Sequence, residues 1–202
     1  MSAEVVIVDY GLGNIASLRN ALLAAGARPR ISGDPDVLRG AKKLILPGVG
    51  AFAPAIRRLR QKKLDGLLRR RAHAGVPVLG ICLGMQLLFD RSYEDGEWEG
   101  LGLIPGRVVR FGKAVKIPHM GWNQVEWDSK GALFENVKQG EFFYFVHSYY
   151  CIPAQESDWL AASDYGGRFC AAAARGTVWG VQFHPEKSQR PGLQVLRNFL
   201  RL

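Results

Sequence analysis

The stretch that most constrains this chain is Gly80-Ile81-Cys82-Leu83-Gly84-Met85-Gln86. Val76-Pro77-Val78-Leu79 before it is a short apolar run of strand type, and the residues from Leu83 to Phe89 after it can wind into a helix. A cysteine between two glycines, where a strand turns into a helix, has the logic of a nucleophile elbow. The turn is tight, and Gly80 and Gly84 let neighbouring backbone approach it closely. Cys82 is thereby lifted off the end of the sheet. Its sulfur sits at a helix N-terminus, where unpaired N–H groups and the helix dipole favour thiolate over thiol. The same N–H groups, Leu83's in particular, can stabilise an oxyanion while a carbonyl carbon is attacked. A small buried cysteine is the plainer reading. The flanking glycines favour the nucleophile.

The rest of the first half supplies the sheet on which such an elbow stands. Glu4-Val5-Val6-Ile7-Val8-Asp9 is a near-continuous apolar run, as expected of a strand covered on both faces. Tyr10-Gly11-Leu12-Gly13-Asn14 turns the chain into a helix with Ile15, Leu18, Leu22 and Leu23 as apolar positions, capped by Asn14 or Ser17. The turn is no dinucleotide fingerprint, because Ala16 stands three residues after Gly13. A second strand is expected over 27–31 and a short helix from Asp34-Pro35 to near Gly40. A third strand, Lys43-Leu44-Ile45-Leu46, runs into Pro47-Gly48-Val49-Gly50-Ala51-Phe52. That loop lies at the C-terminal end of a strand, where open α/β sheets place their sites. Its N–H groups around Val49 and Gly50 could complete the oxyanion hole begun by Leu83. A plain glycine turn fits equally well.

Helical sequence rich in arginine fills 53–74, with a break expected near Gly66. Alternation of strands and helices to this point predicts an open, mostly parallel, doubly wound α/β sheet. Beyond Asp90 the runs 107–111, 124–127, 142–146 and 160–163 read as shorter strands, which suit antiparallel additions to that sheet. A last apolar strand, 178–183, ends at His184, and an amphipathic helix over 191–202 closes the chain. With 202 residues and no linker, repeat or low-complexity tract, 1–202 reads as a single domain.

Composition narrows the function classes. No apolar run is long enough to span a bilayer, and Met1-Ser2-Ala3-Glu4 leads into a core strand without a signal-peptide pattern. Cys82, Cys151 and Cys170 are an odd, scattered set without C-x-x-C spacing, which suits a reducing cytosol better than disulfides or a zinc site. The net charge of +9 raises nucleic-acid binding through Arg57, Arg58, Arg60, Lys62, Lys63 and Arg69 to Arg71. These residues alternate at helical spacing with Leu59, Leu64, Leu67 and Leu68, and no nucleic-acid motif accompanies them, so a solvated helix face is expected instead.

A cysteine nucleophile needs a base and a group to orient it. Among four histidines, His73 lies in the arginine-rich region and reads as solvated. His119 sits in Pro118-His119-Met120-Gly121-Trp122-Asn123, read as a loop with no acidic neighbour. His147, after an aromatic strand, could line a pocket. His184 is set apart by Glu186, because residues two apart in an extended segment share a face. Pro185 keeps His184 out of helical dihedrals. Glu186 can therefore accept from one ring nitrogen while the other faces Cys82. Cysteine, histidine and glutamate fill the three roles of a triad.

Gly80-Ile81-Cys82-Leu83-Gly84-Met85-Gln86 together with Gly180-Val181-Gln182-Phe183-His184-Pro185-Glu186 resembles the class I (triad) glutamine amidotransferases. The resemblance implies that Cys82 attacks the side-chain amide of L-glutamine, with His184 as base and acid and Glu186 as orienter. It implies an oxyanion N–H from Leu83, with Gly48, Gln86, Glu94 and the His147-Ser148-Tyr149 segment around the substrate. No cofactor or metal is implied. Asp9 to Asn14, Pro47 to Phe52, Pro118 to Asn123, Tyr144 to Tyr149 and Lys187-Ser188 look like the branch of that family serving imidazole glycerol phosphate synthase, of histidine biosynthesis. The relatives serving anthranilate or aminodeoxychorismate synthesis usually have proline where Val49 stands and lack the Met-Gly-Trp-Asn loop. The narrower resemblance implies a cytoplasmic heterodimer with a (β/α)8-barrel cyclase that receives ammonia directly. Asn14, Trp122, Asn123 and Lys187 are the residues expected on that face. A cysteine peptidase-like hydrolase would share the elbow and the His-x-Glu pair, with no place for Gln86. A non-catalytic scaffold would not need the intact triad.

Overall fold

A computed structural model describes residues 3–112, 114–127 and 131–202, so Met1 and Ser2 of the N-terminal stretch lie outside it. In chain order the elements are β1 (Glu4–Val8), α1 (Ile15–Ala24), β2 (Arg28–Ser32), α2 (Pro35–Arg39), β3 (Leu44–Leu46), α3 (Phe52–Gln61), α4 (Leu64–His73), β4 (Val78–Ile81) and α5 (Leu83–Leu87). Then follow β5 (Phe89–Ser92), β6 (Trp98–Glu99), β7 (Ile104–Arg110), β8 (His119–Trp127), β9 (Glu141–His147), β10 (Tyr149–Pro153), β11 (Trp159–Asp164), β12 (Arg168–Arg175), β13 (Val178–Val181) and α6 (Gln189–Arg201).

These strands form one sheet whose main path runs β2-β1-β3-β4-β13-β12-β10-β7-β5-β6. The stretch β2-β1-β3-β4-β13 is parallel throughout. Beyond β13 the pairing turns antiparallel, apart from β5 beside β7, and β11, β8 and β9 branch from β12. The parallel half is covered on both faces, and its side chains alternate between two cores as the two-residue strand period requires. Val6, Val8, Leu44, Leu46 and Val78 pack with α2 to α5, whereas Val5, Ile7, Ile45, Leu79 and Ile81 pack with α1 and α6.

The parallel register sets the site. Gly80 of β4 lies opposite Gly180 of β13, and α5 crosses directly over that pair. A β-carbon on Gly80 would come within 2.6 Å of the Gly84 carbonyl oxygen, and one on Gly180 within 2.5 Å of Met85 Cγ. Two facing glycines thus leave room for a helix to lie on the sheet. The C-terminal ends of β4 and β13 then emerge side by side, although 100 residues separate them in sequence.

Several elements depart from the sequence reading. The arginine-rich helix breaks at Lys62-Lys63, where Lys63 is left-handed (φ 55°), and Gly66 sits inside α4. An interior glycine is a modest penalty on a helix, whereas the left-handed residue redirects α4 so that Leu64, Leu67 and Leu68 are buried. Asn14 does occupy the N-cap of α1, but its side chain makes no capping bond, and Leu23 is half exposed. The helix after the elbow is only five residues long, and Phe89, expected within it, opens β5. His119 is not in a loop; it begins β8 and pairs with His147 of β9. β10 and β12 fall where no strand is expected from sequence.

Candidate active site

Cys82 is the single residue between β4 and α5, with φ 54° and ψ −113°, a backbone conformation that L-residues avoid. It is held there by its own N–H, which donates to the Val181 carbonyl at 2.8 Å, and by glycines that admit backbone on either side. A β-carbon on Gly84 would collide with the Leu46 carbonyl oxygen, and one on Gly48 would come within 2.9 Å of the Gly84 nitrogen and 2.8 Å of the Tyr10 hydroxyl. Leu83 starts α5, so its N–H has no acceptor within the helix and is available beside the sulfur.

The segment after β13 brings His184 and Glu186 to the elbow. His184 Nδ1 lies 2.8 Å from Glu186 Oε1, and both side chains are almost fully buried. A carboxylate only accepts, so Nδ1 carries the proton and donates it. Nε2 is buried with no hydrogen bond formed, as is Glu186 Oε2. Burial opposes a charge on His184, yet the Cys82 and Glu186 side chains outweigh it and hold the imidazolium up to about 10. The ring is therefore biased to keep its proton.

A cleft of about 320 Å³ opens over Cys82 and is lined by Val49, Gly50, Leu83, Gln86, Glu94, Pro118, His184 and the 146–149 segment. A larger groove of about 630 Å³ around Trp127, Trp159 and Arg168 includes none of the candidate catalytic side chains. The loop beneath the cleft is pinned at both ends. Tyr10 donates its hydroxyl proton to the Pro47 carbonyl at 2.9 Å, and Phe52 N–H donates to Glu94 Oε2 at 2.7 Å. Between the pins, Gly50 is left-handed (φ 94°) with open space around it, and the Val49 side chain is 40% exposed. Burial raises the Glu94 carboxyl above its ordinary range, against the bond from Phe52.

Three expected site residues turn part or all of their polar groups inward. Gln86 lines the cleft, but its amide N–H groups go to the Tyr149 carbonyl (3.0 Å) and to Gln182 Oε1 (3.1 Å). Any contact with a substrate must therefore use its oxygen. The His147 ring also borders the cleft, and both its nitrogens are committed: Nδ1 to the Tyr149 carbonyl at 2.8 Å and Nε2 to His119 Nδ1 at 3.0 Å. His147 thus lines the cleft as expected, with both ring nitrogens used within the chain. Asn123, placed on the partner face by sequence, donates to the Asp164 carbonyl at 2.7 Å, faces His119 Nε2 at 3.3 Å and accepts from Gln124 N–H at 2.8 Å. Its amide is used within the chain. Ser148 and Tyr149 remain at the cleft wall.

Sequence reasoning passed over two residues, Gln182 and His119. Gln182 is fully buried, and its Nε2 lies 3.7 Å from Cys82 Sγ. Its position two residues before His184 placed it on the same face of the segment, a signal that was present but overshadowed by Glu186. His119 is 3% exposed and stacks on Phe145 and Tyr165. Nothing local in Pro118-His119-Met120 marks it as buried.

The remaining expected residues are Asn14, Trp122 and Lys187. Asn14 borders a small pit with Pro47, Val49 and Glu186. Trp122 is 46% exposed and meets Tyr144 edge-on, while Lys187 Nζ sits 5.6 Å over the Tyr144 ring. Much of the basic charge on α3 and α4 is tied down within the chain. Arg58, Arg60, Lys62, Arg69 and Arg71 donate to backbone carbonyls of Gly11, Glu99, Asp9, Leu101 and Ala41, and Arg57 covers the Trp98 ring.

An elbow cysteine, a buried histidine and an orienting glutamate on an open α/β sheet define a thiol-dependent acyl-transfer class. The family model for class I glutamine amidotransferases matches residues 6–202, and the chain belongs to that family. It is 50% identical to the imidazole glycerol phosphate synthase subunit HisH of Moorella thermoacetica, over 96% of this chain and 93% of that protein. It is 51% identical to the subunit of the same name from Carboxydothermus hydrogenoformans, over 96% of each, and 47% identical to that of Aquifex aeolicus, over 97% and 95%. Among solved structures, a glutamine amidotransferase superposes with a TM-score of 0.77 at 21% identity, over 98% and 99% of the two chains. The Thermotoga maritima PurLQS structure also gives 0.77, at 19% identity, over 100% and 99%. Those two likenesses concern the fold.

Proposed function

We propose that this chain is the glutaminase subunit of an imidazole glycerol phosphate synthase. The observation that carries the reading is the buried Cys82–His184–Glu186 arrangement at the floor of the cleft, in a chain about half identical to such subunits along nearly its whole length. Cys82 attacks the carbonyl carbon of the glutamine side-chain amide as a thiolate. The carbonyl π-electrons move onto oxygen, which the Leu83 N–H and a N–H of the Val49–Gly50 stretch receive. The tetrahedral species collapses as His184 passes its proton to the leaving nitrogen, giving ammonia and a glutamyl thioester. Water then attacks the thioester, His184 takes its proton, and glutamate leaves with the thiolate restored. Glu186 keeps the ring aligned through both steps. Glu94 and the Gln86 oxygen offer acceptors for the amino end of glutamine.

Ammonia released in water at neutral pH is protonated and ceases to be a nucleophile, so its use requires contact with the acceptor subunit. The partner is a (β/α)8-barrel cyclase in a cytoplasmic heterodimer, receiving ammonia through a sheltered path and releasing imidazole glycerol phosphate and aminoimidazole carboxamide ribotide. Asn14, Trp122 and Lys187 form the docking face. The freedom of the Val49–Gly50 peptide between its two pins supports a further point. That peptide turns its N–H towards the oxyanion only when the partner is filled, which limits waste of glutamine.

Glutamate release is the test, measured for the chain alone and with a barrel cyclase carrying its nucleotide ligand, for wild type and Cys82→Ala. Strong release in the liganded complex, abolished by the substitution, is expected. Release that ignores the cyclase would assign the enzyme to another pathway. Equal rates with and without the filled partner would end the loop hypothesis.

A further inference from the structure

Gln182 is tied to the candidate nucleophile by a chain of hydrogen bonds whose direction is fixed at its ends. The Tyr149 carbonyl can only accept, so the Gln86 group 3.0 Å from it is the amide nitrogen. The same nitrogen lies 3.1 Å from Gln182, which must therefore present its oxygen to Gln86. The Gln182 nitrogen is then the atom left 3.7 Å from Cys82 Sγ. From the other side, His147 Nδ1 also lies 2.8 Å from the Tyr149 carbonyl and must donate to it. Its Nε2 is then the acceptor, so His119 Nδ1 donates at 3.0 Å and His119 Nε2 receives Asn123 Nδ2 at 3.3 Å. The Asn123 amide cannot flip, because its oxygen takes Gln124 N–H and its nitrogen faces the Asp164 carbonyl. Every rotamer and tautomer from β8 to the sulfur is thus determined. A proton added to either histidine would set donor against donor, and burial independently holds His119 down to about 4 and His147 to about 3.

We infer that Gln182 is a side-chain donor to the Cys82 thiolate, held in that orientation by Gln86 and the Tyr149 carbonyl, with His147, His119 and Asn123 as positioning residues. This rests on Cys82 being the nucleophile. An N–H aimed at sulfur favours the anion, and it acts from the side opposite to the need of the thiol, whose proton would go to the Val146 carbonyl 3.9 Å away. The titratable groups near the sulfur are His184 with Glu186 behind it, His147 at the cleft wall, Tyr10 from the end of β1 and Cys151 of β10. Burial drives Tyr10 and Cys151 well above their ordinary values, so both stay neutral near pH 7, and Glu94 faces the sulfur from across the same cleft.

The rate of Cys82 alkylation by iodoacetamide, followed by peptide mass spectrometry across pH, reads the thiolate directly. Cys151 and Cys170, fully buried, serve as internal controls for unfolding. Gln182→Met removes the donor and is expected to move the midpoint up by about one pH unit. Gln182→Glu keeps an acceptor for Gln86 and faces the sulfur with an oxygen, so its midpoint should rise further. A folded variant of either kind with the wild-type midpoint would overturn the role. The wild-type protein supplies an independent check through ¹⁵N NMR of its histidine rings, where His119 and His147 should both be neutral and protonated at Nδ1; an Nε2 proton on either overturns the chain. A Cys82 that never alkylates in wild type would instead strike at the nucleophile itself.

Discussion

Cys82 combines a left-handed backbone, a buried sulfur and a place at the start of a helix, and each neighbour serves one of those conditions. Glu186 serves the charge. With the Cys82 side chain on one side and the Glu186 carboxylate beside Nδ1, His184 holds its proton up to about 10, against an ordinary value near 6.5. A raised value in the folded state means that this stabilisation is complete below about pH 6.5 and is lost as pH climbs through about 10. The Tm of the wild type should therefore fall across that window, and Glu186→Gln should flatten the fall. In the same variant kcat/KM for glutamine should drop by at least about 10²-fold, because the ring loses both its orientation and its charge partner. A Glu186→Gln enzyme with an unchanged Tm profile and full activity would remove Glu186 from the triad. At this scale the pairing of His184 with Glu186 was legible from sequence, although the route differs: His184 alone is extended, and Pro185–Lys187 winds into a short 3-10 helix that carries Glu186 back to the ring. Gln182 and the histidine pair were not, because a hydrogen-bond direction depends on partners that no spacing reveals.

Among elements, the glycines divide by physical cause. Gly84 is required by space: a β-carbon there would strike the Leu46 carbonyl, and neither β3 nor α5 can yield without opening the elbow. Gly50 is required by its dihedral alone, with nothing near it. Gly84→Ala should accordingly destabilise by about 3 kcal/mol or more, as overpacking of backbone does, whereas Gly50→Ala should lose roughly 1–2 kcal/mol. Urea unfolding of the two variants checks the difference, and equal losses would mean that the loop is as tightly packed as the elbow. β12 shows why some elements escaped the sequence. Ala171-Ala172-Ala173-Ala174 has the highest helix propensity available, yet these residues lie in the sheet between β13 and β11. Small side chains fit a strand crowded on both sides, and that crowding exists only in the assembled sheet. The same holds for Lys63, whose left-handed backbone separates α3 from α4 while Gly66 stays helical.

Over the whole molecule the charge of +9 is arranged rather than spread. The guanidinium groups of α3 and α4 tie loops to the helices through carbonyls, including Gly11 and Asp9 at the end of β1, so the basic faces stiffen the edge around the cleft. Large apolar side chains are exposed elsewhere, with Trp122 and Met120 on β8 and Val49 at the cleft. If that face receives the cyclase, Trp122→Ala should weaken the complex by about 2 kcal/mol, or roughly 30-fold in Kd, while the variant keeps its own Tm. Isothermal titration with the barrel subunit measures it, and an unchanged Kd would move the docking face away from β8. No helix among the described residues is long and apolar enough to cross a membrane.

The sequence by itself determined the elbow, the parallel half of the sheet and the pairing of His184 with Glu186, because each rests on local geometry: glycines at a turn, apolar runs of strand length, and two residues held close across a single proline. Only the tertiary structure decided what stands beside the sulfur. The parallel register of β4 with β13 carries Gln182 and His184 across 100 residues to Cys82, and the pairing of β8 with β9 buries His119 against His147. Register is fixed by the packing of whole strands, and a polar group's role is fixed by which acceptor that packing leaves within reach.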